Sequence, residues 1–185
     1  RVMLDSERRL GRNPTMQSKN EPSPGPLNGA RIIDLSAVVS GPMAAVVLAD
    51  QGAEVIKVEP PGWGDGVRYL GASRGGVSAI FSLINRNKKS LALNLKHPDG
   101  QAILMRLLAT ADGVMHNYRP GKMERLGLGY ARLREHFPDL IYLAISGMGD
   151  VGPYAGQKVY DYVIQGLSGI LDAQGTHNRF EMVRT

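Results

Sequence analysis

Residues 31–65, RIIDLSAVVSGPMAAVVLADQGAEVIKVEPPGWGD, constrain the fold more than any other stretch of the chain. Two short apolar runs, Ile32-Ile33-Asp34-Leu35 and Val55-Ile56-Lys57-Val58, flank a segment of helical character. A Ser40-Gly41-Pro42 turn joins the first run to that segment. Proline suits a first helical turn, where its missing N–H has no intrahelical partner anyway. Gly52 suits the position just past a helix end. The unit reads strand–turn–helix–strand. Such units build parallel sheets, whose ligands bind in loops at the carboxyl ends of the strands.

The same alternation continues downstream. Strands are expected at residues 31–35, 53–59, 90–95, 113–117 and 140–146. Helices are expected from Pro42, over 79–84, from Pro98 with Ile103, Leu104, Leu107 and Leu108 on one face, over 130–137 and over 159–171, with a helical turn at 123–126. Residues 63–76 read as a glycine-rich loop and 85–89 as a polar turn. Alternating strands and helices argue for an α/β fold with a parallel, Rossmann-like sheet and right-handed crossovers. Residues 1–26, with RRLGR followed by NEPSPGP, show no periodicity and read as a flexible N-terminal arm. Residues 27–185 then form one α/β domain. The chain starts at Arg1 and ends at Thr185 with no closing motif, and it reads as a piece of a longer protein.

Composition narrows the chemistry. A length of 185 residues allows one domain with a real core. The net charge of +5 suits anionic ligands but is too mild to argue for nucleic acid. With no cysteine, disulfides, thiol nucleophiles and cysteine metal sites are excluded. Nothing demands secretion, and the expected compartment is the cytoplasm. No apolar run is long enough to span a bilayer, so no membrane partner is expected. His97, His116, His136 and His177 show no metal-binding spacing, so no metal is expected. His116, among apolar neighbours, reads as a packed histidine rather than a base.

Gly147-Met148-Gly149-Asp150-Val151-Gly152 matches G-x-G-x-x-G after a strand. Pro153 and Tyr154 delay the helix that a dinucleotide site requires, so these glycines read as turn residues. Basic residues gather near strand ends: Arg86, Lys88, Lys89, Lys96, Arg119, Lys122, Arg125 and Lys158. Converging on one edge of the sheet, they would suit a phosphorylated ligand. Asp161 reads as an N-cap carboxylate in preference to a carboxylate working in a cleft.

Six stretches, LNGARIIDLSAVVSGPMAA, LADQGAEVIKVEPPGWGD, NRNKKSLALNLKHPDG, NYRPGKMERLGLGY, AISGMGDVGPYAG and YDYVIQGLSG, stand in the order found in one family. Together they resemble the N-terminal part of the class III CoA-transferases, the carnitine dehydratase and bile-acid-inducible F family, over residues 27 to about 175. That family includes formyl-CoA:oxalate CoA-transferase, and α-methylacyl-CoA racemases are close relatives. The resemblance implies an N-terminal Rossmann-like domain, truncated relative to the family, with coenzyme A as substrate. By position, its CoA contacts fall on Val39, Ser40, Leu93, Asn94, Leu95, Lys96, Asn117, Tyr118, Arg119, Arg125, Lys158, Val159 and Tyr160. Asp161 matches an auxiliary acidic position.

The implied partners are an acyl-CoA and a carboxylic acid. The implied assembly is an interlocked homodimer whose chain passes through a second, smaller domain. The implied reaction is CoA transfer by a carboxylate nucleophile. An aspartate oxygen attacks the acyl-CoA thioester carbon, the C–S bond breaks, and a mixed anhydride forms. The thiolate then attacks the aspartyl carbon to give an enzyme thioester, from which an acceptor acid completes the exchange. The family places that aspartate in a Gly-Asp pair beyond YDYVIQGLSG, and no such pair follows Gly169 here. The resemblance therefore expects this chain by itself to be inactive. Two substitutions bear on the site. Pro60 stands where many relatives have arginine, and Val39 where formyl-CoA transferase has glutamine. Racemases tend to carry a histidine where Tyr160 stands, and a phenol exchanges protons poorly near neutrality. That favours transfer over racemisation.

Overall fold

The computed structural model describes residues 25–174. Five parallel strands form the main sheet: β1 (Arg31–Asp34), β2 (Glu54–Glu59), β5 (Lys88–Ala92), β6 (Gly113–His116) and β7 (Ile141–Ala144), in the order β5-β2-β1-β6-β7. The excursion between β2 and β5 carries a short antiparallel hairpin, β3 (Ser73–Arg74) and β4 (Val77–Ser78). Gly75 and Gly76, at φ 58° and 78°, make its two-residue turn. Both residues of a primed hairpin turn need positive φ, which glycine alone adopts freely.

Chain direction across the sheet explains the helix layout. From β1 the chain moves one way, through α1 (Ser40–Asp50) to β2 and then through α2 (Ala79–Asn85) to β5. It then returns past both strands through α3 (Pro98–Leu108) to β6 on the far side of β1. Crossovers of one hand place their helices on opposite faces when direction reverses. Accordingly Ala45 and Ala49 of α1 pack with Val55 and Met115 on one face. Leu104 and Leu108 of α3, Met123 of α4 (Lys122–Arg125) and Leu133 of α5 (Tyr130–His136) pack with Ile33, Val58 and Val114 on the other. Neighbouring strand residues face opposite layers, so both faces of the central strands are buried.

Two elements differ from the sequence reading. The third parallel strand is Lys88–Ala92, not residues 90–95, because Lys88 reaches inward to the Asp34 carboxylate at 3.0 Å. A lysine thereby occupies a buried strand position, which a hydrophobicity pattern reads as a turn. Leu93, Asn94, Leu95 and Lys96 consequently form the loop after the strand. The expected helix over 159–171 divides into α6 (Asp161–Leu167) and α7 (Ile170–Gln174) at Gly169, whose φ is 78°. Of the arm assigned to residues 1–26, all but Gly25 and Pro26 lies outside the described residues. Gly25 closes on the end of α1, where an added Cβ would stand 2.1 Å from the Gln51 carbonyl oxygen. No helix among the described residues is long and apolar enough to cross a membrane.

Candidate functional site

The sheet reverses its winding between β1 and β6, and ligands of open α/β sheets bind in the crevice outside such a switch point. Two loops meet there. Asn117, just past β6, accepts from the Ala37 N–H at 2.9 Å and donates to the Ala37 carbonyl at 2.7 Å and to Ser40 Oγ at 3.3 Å. One amide side chain thus clips the β1–α1 loop to the end of β6. Gly41 lets that loop lie close, since a Cβ there would meet Ser36 Cβ at 2.2 Å.

The loop is held from its other side by buried charge. Val38 has φ 67°, a conformation costly for a β-branched residue. Its N–H donates to both oxygens of Asp65, at 3.0 and 3.1 Å. Asp65 also accepts from Lys57 Nζ at 3.0 Å, and the same ammonium donates to the Ser36 carbonyl at 3.0 Å. These side chains are 2% exposed for Lys57 and 1% for Asp65. Beside them, Glu59 accepts from the Asp65 N–H and from Arg68. Burial pushes the Glu59 carboxyl up, but the Arg68 guanidinium and the Asp65 N–H outweigh it and hold it below the usual range. A second buried pair, Lys88 with Asp34, fixes the end of β1. Burial lowers the Lys88 ammonium pKa, with Asp34 opposing the change.

Sequence reading names Asn117 and Lys88 among these groups, both as ligand-facing; Asp34, Lys57, Glu59, Asp65 and Arg68 it does not single out. The available signal was Lys57 itself: a charge within Val55-Ile56-Lys57-Val58, in a strand buried on both faces, requires a buried partner.

The sequence-expected contacts take different places around this loop. Val39 and Ser40 are exposed at the start of α1. Leu93 is buried in the core and Leu95 packs against the same cluster as Tyr118 and Leu126, so both leucines anchor their loop rather than project from it. Asn94 and Lys96 are exposed, and Asn94 Oδ1 accepts from the Lys96 N–H at 3.1 Å. Tyr118 is half-buried, with Arg119 and Arg125 exposed beyond it. Further along the chain, Lys158, Tyr160 and Asp161 are exposed, while Val159 closes over Gly147. Asp161 is the first residue of α6 and accepts from the side chain of Gln165; the N-cap place expected of it is taken by Tyr160, and no side chain caps the helix. Residues 147–152 form a loop with Gly149 and Gly152 at positive φ, and the next helix waits until Asp161.

Arg31, Lys57, Arg68, Arg86, Lys88 and Lys89 all pair with carboxylates. Lys88 and Lys89, grouped with the ligand-facing cations in the sequence reading, are thereby spoken for. A depression of about 480 Å³ at the amino ends of β1 and β2 is lined by such satisfied groups, Arg31, Glu54 and Lys89. A smaller cavity of about 210 Å³ opens at the carboxyl ends of β6 and β7, between His116, Tyr118, Tyr130 and Tyr142.

His116 is buried there, as expected of a packed histidine. Its Nδ1 accepts from the Tyr118 N–H at 3.2 Å, which leaves the Nε2 proton to donate to Tyr142 Oη at 2.9 Å. Burial lowers the His116 pKa and pushes the Tyr142 phenol up to about 12. An imidazole harder to protonate in the fold than in the unfolded chain costs stability as the pH falls below about 6.5. Urea midpoints are therefore expected to decline from about pH 7.5 to about pH 5.5, and His116→Gln should flatten that slope. An unchanged slope in the variant would assign the decline to other groups.

With this geometry in view, similarity to known proteins is informative. The model of CoA-transferase family III matches residues 27–185. The chain belongs to CoA-transferase family III. It is 44% identical over 151 residues to the acetyl-CoA:oxalate CoA-transferase of Acetobacter aceti, covering 82% of this chain and 39% of that protein. It is 44% identical over 154 residues to the succinyl-CoA:glutarate CoA-transferase of Homo sapiens, covering 83% and 35%. A crystal structure of a CAIB/BAIF family protein from Brucella suis superposes with a TM-score of 0.82 at 35% identity, over 88% of this chain and 44% of that one. The chain thus spans less than half the length of these relatives. The family's fold, a parallel α/β sheet, is the one observed.

Proposed function

We propose that the protein of which these residues form the N-terminal α/β part transfers CoA between an acyl-CoA and a carboxylic acid. The supporting observation is the switch-point crevice. One wall is the clipped loop carrying Val39 and Ser40. In this reading the other is lined by Lys96 and Arg125, which have no carboxylate partner among the described residues. CoA carries a diphosphate and a 3′-phosphate, and unpaired cations beside a rigid loop suit both. Lys158, Val159 and Tyr160 extend the site along the later loop. Asp161 is an auxiliary carboxylate in this reading, and the nucleophilic aspartate that would form the aspartyl-CoA thioester lies outside the present residues. The complete enzyme is an interlocked homodimer in this reading.

Calorimetry with CoA tests the site. Lys96→Ala and Arg125→Ala are each expected to weaken binding about tenfold, the effect of losing one charge-assisted hydrogen bond. Absence of CoA binding by the complete, folded protein would defeat the assignment. A panel of acyl-CoA donors and acceptor acids, read by mass spectrometry, then identifies the reaction. The 185-residue chain alone should show no exchange. Turnover by this piece that disappears in Asp161→Asn would overturn the placement of the nucleophile.

A further inference from the structure

Lys122 is the cation best fixed beside the crevice. Its Nζ sits 3.5 Å from the centre of the Tyr118 ring, which stacks on His116 with ring centres 5.9 Å apart. Arg125 follows three residues later on α4, so the two side chains share a face. Arg125 also folds back over the turn before that helix: a Cβ on Gly121, whose φ is 78°, would stand 3.2 Å from Arg125 Nη1. The loop bearing Lys96 is brought alongside because Leu95 packs in the cluster that holds Tyr118 and Leu126. Burial lowers the Lys122 pKa, and the nearby charges of Lys96 and then Arg125 lower it further. Among the described residues no carboxylate pairs with any of the three.

Three like charges gathered without a counter-charge destabilise the protein unless a polyanion joins them. The Tyr118 ring lessens the cost for Lys122 by a cation–π contact, and it holds the ammonium in place. A cation kept merely to cover the surface would instead extend freely into water.

We propose that Lys122 is a third phosphate-binding residue, completing with Lys96 and Arg125 a cluster that grips a polyphosphate group. The CoA part of this inference rests on the function proposed above; the polyphosphate part does not. Its role is ligand discrimination: it selects for phosphate charge on the bound molecule and takes no part in bond making.

The test titrates the complete, folded protein with CoA and, separately, with inorganic tripolyphosphate. Lys122→Gln should weaken both about tenfold, and Lys122→Arg should restore most of the affinity. The thermal midpoint of Lys122→Gln should be unchanged or higher, because a repelling charge is gone; a structural lysine would show the reverse. Wild-type affinity for both ligands in Lys122→Gln would overturn the inference and leave the CoA reading intact. Tripolyphosphate binding that depends on Lys122, with no CoA binding, would uphold the cluster and defeat the CoA reading. Binding of neither ligand by the wild type would defeat both.

Discussion

Asp65→Ala is expected to lower the unfolding free energy by about 3–5 kcal/mol, the usual cost of stranding one member of a buried ion pair. Lys57, 2% exposed, would keep only the Ser36 carbonyl among its hydrogen-bond partners. The Val38 N–H would lose its acceptor in a conformation that already carries strain. Urea denaturation measures the loss. The double variant Lys57→Met/Asp65→Ala should recover part of it, because an apolar chain of similar volume removes the uncompensated charge. A single variant within about 1 kcal/mol of wild type would show that the pair is not buried as described. The same variant should weaken CoA binding, since the Val38 N–H no longer fixes the loop that presents Val39 and Ser40.

Asn117→Leu keeps the side-chain volume and removes the clip between β6 and the β1–α1 loop. The Ala37 N–H and carbonyl lose partners at 2.9 and 2.7 Å. Each unsatisfied buried group costs about 1–3 kcal/mol, and partial access of water to the loop reduces this, so a total of about 2–4 kcal/mol is expected. Hydrogen exchange separates the two consequences. Protection should fall at Ala37 and Val38 while the central strands β1 and β2 remain protected. Uniform loss across the sheet would instead make Asn117 a general stabilising residue.

The alternation of strands and helices was legible because it depends on local pattern. Buried parallel strands are marked by short apolar runs, and Ile32-Ile33 with Leu35 and Val55-Ile56 with Val58 supply them, interrupted by Asp34 and Lys57, which pair in the interior with Lys88 and Asp65. The turn glycines of 147–152 were legible for the same reason, since Pro153 excludes the helix that a dinucleotide would need. The third parallel strand was placed two residues late because its first residue is Lys88, and no local rule seats a lysine in a core. The final helix was read as continuous because helical pattern carries through Gly169, whose backbone conformation ends it. Among the ligand residues, the sequence grouped eight cations as one basic edge. The fold divides them: Arg86, Lys88 and Lys89 pair with Asp50, Asp34 and Glu54, and Lys96, Arg119, Lys122, Arg125 and Lys158 remain without carboxylate partners among the described residues.

By itself, then, the sequence determined an α/β sheet with its ligand loops at strand ends, and through its ordered motifs a likeness to the class III CoA-transferases. Strand period, helix period and glycine positions are short-range properties, written into neighbouring residues. Only the tertiary structure decided which charges pair in the core and which are left without a carboxylate partner among the described residues. Asp65 lies eight residues from Lys57, and Asp34 lies 54 from Lys88. Such pairings exist only once the sheet has brought distant segments together. The low dielectric of the interior then makes each pair obligatory.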